Sequence, residues 1–249
     1  MIPVVVIYEV IRVISGKCLF LEDHLERLFN SLKLAEKKSA KTPEDITRMI
    51  YSLVYSKSLQ NGNIRLEICF GPSGENILAQ IIPHKYPDPQ DYSTGVKAIS
   101  FETERKNPNA KILNPSLREK INNLLSLSGA YEAVLVNQSG FVTEGSRSNL
   151  FFINAETIYT SPSSTVLVGI TREQLIKLCK ENDINVSERN IKFSEITDFD
   201  SAFITGTSPK ILPLNSIDSI KFNANNKLLQ DLIIAYNDRI NKYIVTAKI

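Results

Sequence analysis

The sequence predicts an α+β protein of two domains, and three observations lead to that prediction. The chain has 249 residues, of which 43% are hydrophobic and 22% charged, enough for one or two hydrophobic cores. Segments typical of strands are interspersed with segments that have the 3.6-residue period of helices. The stretch 84–95, HKYPDPQDYSTG, contains two prolines and several polar residues and is the best linker in the chain. We therefore place the domains at 1–86 and 95–249, with residues 87–94 as the linker.

The first domain is predicted to combine two pairs of strands with two helices. Val and Ile dominate its first segment and favour a strand. Asp23 followed by Glu26 is typical of a capping box, and Thr42 followed by Pro43 is typical of a helix start. The predicted elements are strands at 3–14 and 18–21, a helix from Asp23, a helix from Thr42 to Asn61-Gly62, and strands at 63–70 and 77–84.

The second domain is predicted to mix strands and helices over its whole length. Its C-terminal helix carries an apolar stripe that includes Leu229, Leu232 and Tyr236. The other predicted elements are strands at 96–102, 131–137, 149–154 and 201–205, a helix from Pro115 to about Ser128, and a helix after Thr171.

Composition excludes several classes of protein. The net charge of +2 does not indicate a nucleic-acid partner, and no apolar run is long enough to span a bilayer. The apolar N-terminus is interrupted by Glu9 and Arg12 and predicts a buried strand rather than a signal peptide. Three widely spaced cysteines favour a reducing compartment, and we expect the cytoplasm. Two histidines without a ligand motif predict no metal site.

Lys111 is the first candidate for chemistry. It stands between Ala110 and Ile112, just before the helix predicted at Pro115. If these apolar neighbours pack inward, desolvation makes the amine a nucleophile. A lone lysine beside a turn is more often a surface residue, so this position needs support from elsewhere in the chain.

Three further segments offer binding chemistry, although each has an ordinary explanation as a turn or a cap. Glu144 lies among small residues, where a buried carboxylate needs a cationic or protonated partner. Gly169-Ile170-Thr171 opens a helix, and its backbone N–H groups can bind an anion. Thr205-Gly206-Thr207-Ser208 is a loop with hydroxyls suited to phosphate.

The combination and order of these segments are more specific than any of them alone. The chain contains H-x-x-R-L at His24–Leu28, K-x-L-N at Lys111–Asn114, E-A-V-L-V-N-x-x-G-x-V-T-E-G-S-x-S-N at 132–149, then G-I-T-R and T-G-T-S. This series resembles the class IV (fold-type IV) pyridoxal-phosphate-dependent aminotransferase family. The resemblance extends from about Tyr8 to Asp218 and is most specific between Gly129 and Leu150.

The resemblance implies a fold and a cofactor. The fold is that of a two-domain fold-type IV enzyme, with a small N-terminal α/β domain and a larger C-terminal pseudo-barrel α/β domain. The matched lysine of the family forms an internal Schiff base with pyridoxal 5′-phosphate, which implies that role for Lys111 rather than for Lys106 or Lys120. Glu144 matches the acid that pairs with the pyridine nitrogen and keeps it protonated, so that the ring acts as an electron sink.

The remaining cofactor residues follow from the same matches. Arg27 corresponds to the arginine on the cofactor phosphate, and Leu167 to the aliphatic residue that packs on the ring. The other positions assigned to the cofactor are Gly169, Ile170, Thr171, Thr207, Ser148 and Asn149.

The implied reaction is transfer of an amino group between an amino acid and a 2-oxo acid. The Lys111 amine would move a proton between the substrate Cα and the cofactor, first as base and then as acid, with ping-pong kinetics. Class IV enzymes are usually homodimers with the site between the domains, near the dimer interface, and the resemblance implies the same here.

The sequence does not choose between the activities of this family. It lacks the R-x-H expected of a D-amino-acid aminotransferase at 69–74, and it has Ser116 where a branched-chain aminotransferase has tyrosine. An aminodeoxychorismate lyase often has Thr at the position of Glu9 and Asn at that of Thr207, so we favour an aminotransferase.

Four residues are assigned to the substrate side of the site. Tyr8, Arg12, Arg65 and Ser208 are placed with the substrate, and Arg12 and Arg65 are candidate ligands for its carboxylate; ordinary ion pairs are the alternative for both arginines. The segment 3–6 occupies the place of a longer strand in relatives, which predicts a rebuilt pocket wall and leaves a non-catalytic paralogue as a further hypothesis.

Overall fold

The computed structural model describes residues 5–105 and 107–247, so the predicted strand start at Pro3 and Val4, and Lys106, lie outside the described residues. The chain divides into two compact units. The first comprises Met1–Lys85, Asn109–Leu113 and Asp238–Ile249, and the second comprises Tyr86–Pro108 and Asn114–Asn237. No helix within the described residues is long and apolar enough to cross a membrane.

The first unit is an antiparallel four-stranded sheet with two helices. Its elements are β1 (Val5–Ile14), β2 (Lys17–Cys18), α1 (Leu21–Leu34), α2 (Pro43–Ser56), β3 (Asn61–Gly71) and β4 (Gly74–Ile82). The strand order is β2-β1-β3-β4. The core forms where Ile7 and Ile11 of β1 and Ile64 of β3 meet Leu28 of α1 and Ile50 of α2, all with 0% exposure. Alternation along β1 therefore separates a core face from a second, half-buried face.

The two helix boundaries predicted from sequence at Asp23 and Asn61-Gly62 are wrong. Helix α1 begins at Leu21, after Phe20 in a left-handed conformation (φ 50), and no side chain caps it. Helix α2 ends at Ser56, and Asn61 already begins β3. The start of α2 was predicted well, because Thr42 and Asp45 form a reciprocal capping box before Pro43.

The segment Asn109–Leu113 belongs to the first unit because it pairs with β1. Tyr8 N donates to Lys111 O at 3.2 Å, and Leu113 N donates to Val6 O at 2.9 Å. The domain boundaries predicted from sequence do not assign Asn109–Leu113 to the first domain, because a segment of five residues carries no compositional signal.

The second unit is built on a curled sheet. Its nine-strand path runs β10-β9-β8-β12-β13-β5-β6-β7-β11, and β14 pairs with β13. The strands are β5 (Val96–Glu102), β6 (Glu132–Val136), β7 (Phe141–Gly145), β8 (Asn149–Asn154), β9 (Thr157–Thr160), β10 (Asn185–Glu188), β11 (Ile191–Lys192), β12 (Ser201–Gly206), β13 (Lys210–Ile217) and β14 (Ile220–Lys221). The helices of this unit are α3 (Asp91–Thr94), α4 (Pro115–Ser128) and α5 (Ile170–Glu181). The last helix, α6 (Lys227–Thr246), begins in this unit, and its residues from Asp238 onward belong to the first unit.

The core of the second unit lies on this sheet. Phe152, Ile204 and Leu212, from three neighbouring strands, are at most 1% exposed, and Phe199 stacks on Phe152. A smaller cluster joins Ile121 of α4 to Leu135 of β6. Six strands of this unit were not predicted. In β9, β10, β11 and β14, two to four residues carry too little periodicity. The five-residue β7 and the eight-residue β13 were also missed.

Candidate active site

The backbone of Lys111 makes hydrogen bonds to two elements of the first unit, β1 and α1. Its carbonyl accepts the hydrogen bond from Tyr8 N, and its own N–H donates to Ser31 Oγ at 3.2 Å. Ser31 belongs to α1 and has 0% exposure. The Lys111 amine lies 4.8 Å from the centroid of the Tyr8 ring. Lys111 is therefore half-buried, its backbone is fixed by two elements, and its amine lies beside an aromatic ring.

Next to Lys111 lies a buried ionic cluster of Glu9, His24 and Arg27. Arg27 Nε donates to Glu9 Oε1 at 2.8 Å and a terminal nitrogen donates to Oε2 at 2.6 Å. His24 Nδ1 lies 2.7 Å from Glu9 Oε2. Glu9 is 0% and His24 2% exposed. Glu9 can reach both partners because it lies on the core face of β1, which α1 covers.

The protonation of the cluster follows from its surroundings. Burial raises the pKa of the Glu9 carboxyl, but the Arg27 charge and the hydrogen bonds from Arg27 and His24 outweigh burial, and the pKa lies far below its ordinary value. Burial is the largest influence on His24 and lowers its pKa, Glu9 acts in the opposite direction, and the charges of Arg27 and Lys111 lower it further, so that the pKa lies below its ordinary value. At neutral pH the cluster is therefore a carboxylate–guanidinium pair with a neutral imidazole that donates from Nδ1.

Three of the four predicted substrate-side residues, Tyr8, Arg12 and Arg65, share the other face of the first unit's sheet, whereas Ser208 lies in the second unit. The Arg65 guanidinium lies 5.2 Å from the Tyr8 ring centroid and forms an ion pair with Glu67. Arg12 lies on β1 opposite Asn63, on the same face as Tyr8. The structure thus brings Tyr8, Arg65 and Lys111 together.

In the second unit, Glu144 and Asn149 hold the backbone of Leu167 between them. Glu144 is 3% exposed, and its Oε2 accepts from Leu167 N at 3.0 Å. Asn149 Nδ2 donates to Leu167 O at 2.7 Å. The other oxygen of Glu144 accepts from Arg105 at 2.7 Å. Glu144 is therefore a buried carboxylate with a cationic neighbour, as the sequence reasoning required.

The start of α5 offers backbone donors to an anion. Gly169 is the N-cap, no side chain caps the helix, and Ile170 and Thr171 form its first turn. A Cβ at Gly169 would collide with Asn149 Oδ1, so only glycine allows this approach. Asn149 also pairs with Thr205 in the sheet.

Thr205 is a residue that the sequence reasoning did not assign. It is 1% exposed, and its Oγ1 has no hydrogen-bond partner among the described residues. Thr207 and Ser208 follow in the turn between β12 and β13. Buried hydroxyls are normally satisfied, so Thr205 points to a missing acceptor.

Other missed residues are Arg105 and Glu132, which contact the predicted acid and the predicted Ser148 respectively. Glu132 is the first residue of the motif at 132–149, so the motif itself could have marked it as a candidate. Nothing in the sequence around Arg105 indicated its partner.

Comparison with known proteins gives the family. Residues 6–217 match the family described as amino-transferase class IV, so the chain belongs to the class IV aminotransferases, as its motifs predicted. This family is pyridoxal-phosphate-dependent.

Three proteins illustrate the similarity. The chain is 29% identical over 223 residues to the D-alanine aminotransferase of Bacillus licheniformis, covering 85% of this chain and 78% of that protein. Its fold resembles that of "Putative 4-amino-4-deoxychorismate lyase" from Legionella pneumophila, with a TM-score of 0.86, 26% identity and coverage of 94% and 90%. It also resembles the fold of the branched-chain aminotransferase from Thermoproteus uzoniensis solved with norvaline, with a TM-score of 0.85, 24% identity and coverage of 97% and 88%. The predicted fold-type IV class is confirmed.

The residues present fit pyridoxal phosphate. The uncapped start of α5 and the unsatisfied Thr205 hydroxyl match the chemistry of a phosphate. The buried Glu144 carboxylate has the chemistry to pair with a protonated ring nitrogen. Lys111 has an amine of the kind that forms a Schiff base with an aldehyde.

Proposed function

We propose that the protein is a pyridoxal-phosphate-dependent aminotransferase that moves an amino group between an amino acid, of the branched-chain or D-amino-acid type, and a 2-oxo acid. The observation that carries the proposal is the fixation of Lys111 from two sides, by Tyr8 and by Ser31.

In this proposal Lys111 would carry the cofactor covalently through Nζ, and Glu144 would bind the ring nitrogen. The phosphate would be held by Arg27, the start of α5 and the Thr205–Ser208 loop, and Leu167 would pack on the ring. When bound, the cofactor supplies an electron sink that stabilises negative charge at the substrate Cα. The Lys111 amine, once released from the cofactor, would take the proton from the substrate Cα as base and deliver it as acid to the cofactor carbon that had carried the aldehyde.

The Tyr8 face of the first unit is proposed to hold the substrate. Tyr8 stacks near the Lys111 amine, and the guanidinium of Arg65 is held over the same ring. A cation beside the reactive amine suits a substrate carboxylate. Arg12 and Ser208 are proposed as further substrate contacts.

A lyase acting on 4-amino-4-deoxychorismate, to give 4-aminobenzoate and pyruvate, is the second candidate. It is favoured by the likeness to the Legionella structure, at 26% identity and a TM-score of 0.86. Glu9 argues for the aminotransferase, because the lyase often has Thr there, whereas here the carboxylate anchors both His24 and Arg27.

The deciding experiment is a visible absorption spectrum of the protein supplied with pyridoxal phosphate, followed by a panel of L- and D-amino acids. We expect a band from the lysine-bound cofactor that bleaches with one donor and returns with a 2-oxo acid. Lys111→Ala should lose the band and the turnover, whereas Lys120→Ala, at an exposed position of α4, should keep both.

Other outcomes select other functions. A band that persists with every donor, together with pyruvate release from aminodeoxychorismate, would select the lyase. No band in the wild-type protein would refute the role of Lys111 and favour a non-catalytic paralogue.

We also propose a cytoplasmic homodimer. The family resemblance supports the dimer, and the free thiols Cys18, Cys69 and Cys179 support a reducing compartment. Light scattering during size exclusion tests the dimer, which a mass near 28.0 kDa would contradict.

A further inference from the structure

We infer that Glu132 is a positioning residue that fixes the turn after Glu144 and, through it, the acid and the start of α5. This inference rests on the proposed function for its effect on the cofactor. Glu132 is the first residue of β6 and is only 3% exposed. A carboxylate at such a depth requires strong compensation.

The carboxylate is satisfied by five neutral donors. Its Oε1 accepts from Ala133 N at 2.8 Å, Ser146 N at 3.1 Å and Ser146 Oγ at 2.6 Å. Its Oε2 accepts from Arg147 N at 3.3 Å and Ser148 Oγ at 2.8 Å. Four of these donors belong to the turn between β7 and β8. Consecutive backbone N–H groups and hydroxyls around one anion resemble the nests that bind free anions in other proteins.

The turn closes tightly around this carboxylate. Gly145 N donates to Ser148 O at 2.8 Å, and Ser146 N also donates to Ala133 O at 2.8 Å. A Cβ at Gly145 would collide with Ser148 Oγ and would lie 3.1 Å from Glu132 Cγ. The G-S-x-S order of the motif therefore has a physical reason. Gly145 has no Cβ and so lets Ser148 and Glu132 approach its backbone, and the two serines donate their hydroxyls to Glu132.

The turn separates the two residues that hold Leu167. Glu144 precedes it and receives Leu167 N, and Asn149 follows it and donates to Leu167 O. The Asn149 side chain in turn lies against Gly169, the N-cap of α5. A carboxylate that fixes the turn thus fixes the separation of Glu144 from Asn149, and with it Leu167 and the first turn of α5.

The test compares Glu132→Gln with two controls in the same unit. Glutamine keeps the shape but places an amide N–H₂ among donors, so about two of the five hydrogen bonds are lost. Glu156→Gln changes an exposed glutamate in the turn after β8. Ser201→Ala removes a buried hydroxyl that donates to Asn223 O at 2.7 Å, away from the turn, and serves as the control for general destabilisation.

The first readout is amide hydrogen exchange in the cofactor-free protein. We expect faster exchange at Ser146, Arg147 and Leu167 in Glu132→Gln, by about tenfold or more, which corresponds to about 1.4 kcal/mol of local protection. The inference would be overturned if exchange in Glu132→Gln were faster only at Ser146 and Arg147, while the Leu167 amide exchanged at the same rate as in the Ser201→Ala control. Ser148→Ala loses one donor only and provides the same comparison if Glu132→Gln does not fold.

The second readout is the dissociation constant for pyridoxal phosphate. We expect it to rise about tenfold in Glu132→Gln, the lower end of what the loss of an outer hydrogen-bond partner does at other binding sites. Because Glu132 is inferred to act partly through Glu144, the loss of binding in the double variant Glu132→Gln/Glu144→Gln should be smaller than the sum of the two single losses. Additive losses would overturn the inference.

The two readouts separate this inference from the proposed function. A wild-type protein that binds no pyridoxal phosphate would refute the function, and hydrogen exchange at Leu167 would still decide the role of Glu132.

Discussion

Replacing Glu9 by glutamine should destabilise the protein strongly, because it removes one partner of a buried ion pair. The carboxylate is 0% exposed, the Arg27 side chain is 10% exposed, and the two share hydrogen bonds of 2.8 and 2.6 Å. Removing one partner of such a pair leaves an uncompensated charge and typically costs about 3–5 kcal/mol. Since Arg27 retains slight contact with water and glutamine keeps one acceptor oxygen, we expect a loss of about 3 kcal/mol.

Urea denaturation followed by circular dichroism at pH 7.5 measures this loss as a change in the free energy of unfolding. The matched control is Asp231→Asn, which breaks an exposed pair with Lys227 on α6 and should cost less than about 0.5 kcal/mol. A Glu9→Gln loss no larger than that of the control would refute the claim that the pair is buried and stabilising. Glu9→Leu/Arg27→Met should recover much of the loss, because a well-packed apolar pair can replace a buried ion pair.

Three further predictions concern titration, an unsatisfied hydroxyl and the thiols. Because the folded-state pKa of His24 is lowered from 6.5, the unfolded chain binds its proton first, and stability should fall as the pH drops below about 6.5; His24→Gln should remove this component, at most about 1.4 kcal/mol per pH unit in urea denaturation. Thr205→Val should change stability by less than about 1 kcal/mol, since the hydroxyl has no partner among the described residues, but should reduce any rise in melting temperature caused by inorganic phosphate. Burial raises the pKa of Cys18 and Cys179 to about 12, so a thiol reagent at pH 8 should label the half-buried Cys69 first, and Cys69→Ser should remove the fast phase seen by mass spectrometry.

The sequence predicted those elements whose limits are set by neighbouring residues. Helix α4 runs from Pro115 to Ser128 as predicted. Asn114 is its N-cap, and its side chain accepts a hydrogen bond from Leu117 N; Gly129 ends the helix with φ 63. The start of α1 was mispredicted because no local cap exists there. Phe20 turns the chain from β2 into the helix in a left-handed conformation, and a phenylalanine carries no sequence signal for this.

In the candidate site, too, the sequence predicted residues that belong to local motifs but not the contacts between residues far apart in the chain. Lys111 was identified by its place in a series of family motifs, whereas Ser31, which holds its backbone, lies 80 residues away in the chain. The five donors to Glu132 include residues 14 to 16 positions away, brought together by the pairing of β6 with β7. Contacts of this kind depend on strand register, which a single sequence does not specify.

Register on β1 also explains how two adjacent residues come to serve different parts of the proposed site. Because side chains alternate along a strand, Glu9 faces α1 and anchors Arg27, while Tyr8 faces the opposite side near the Lys111 amine. Substitutions on the Tyr8 face, at Arg12 or Arg65 for example, leave the Glu9 cluster untouched. Substrate preference can therefore vary within a family that shares one cofactor without disturbing the buried charges, which is consistent with relatives of different activity being about equally similar to this chain.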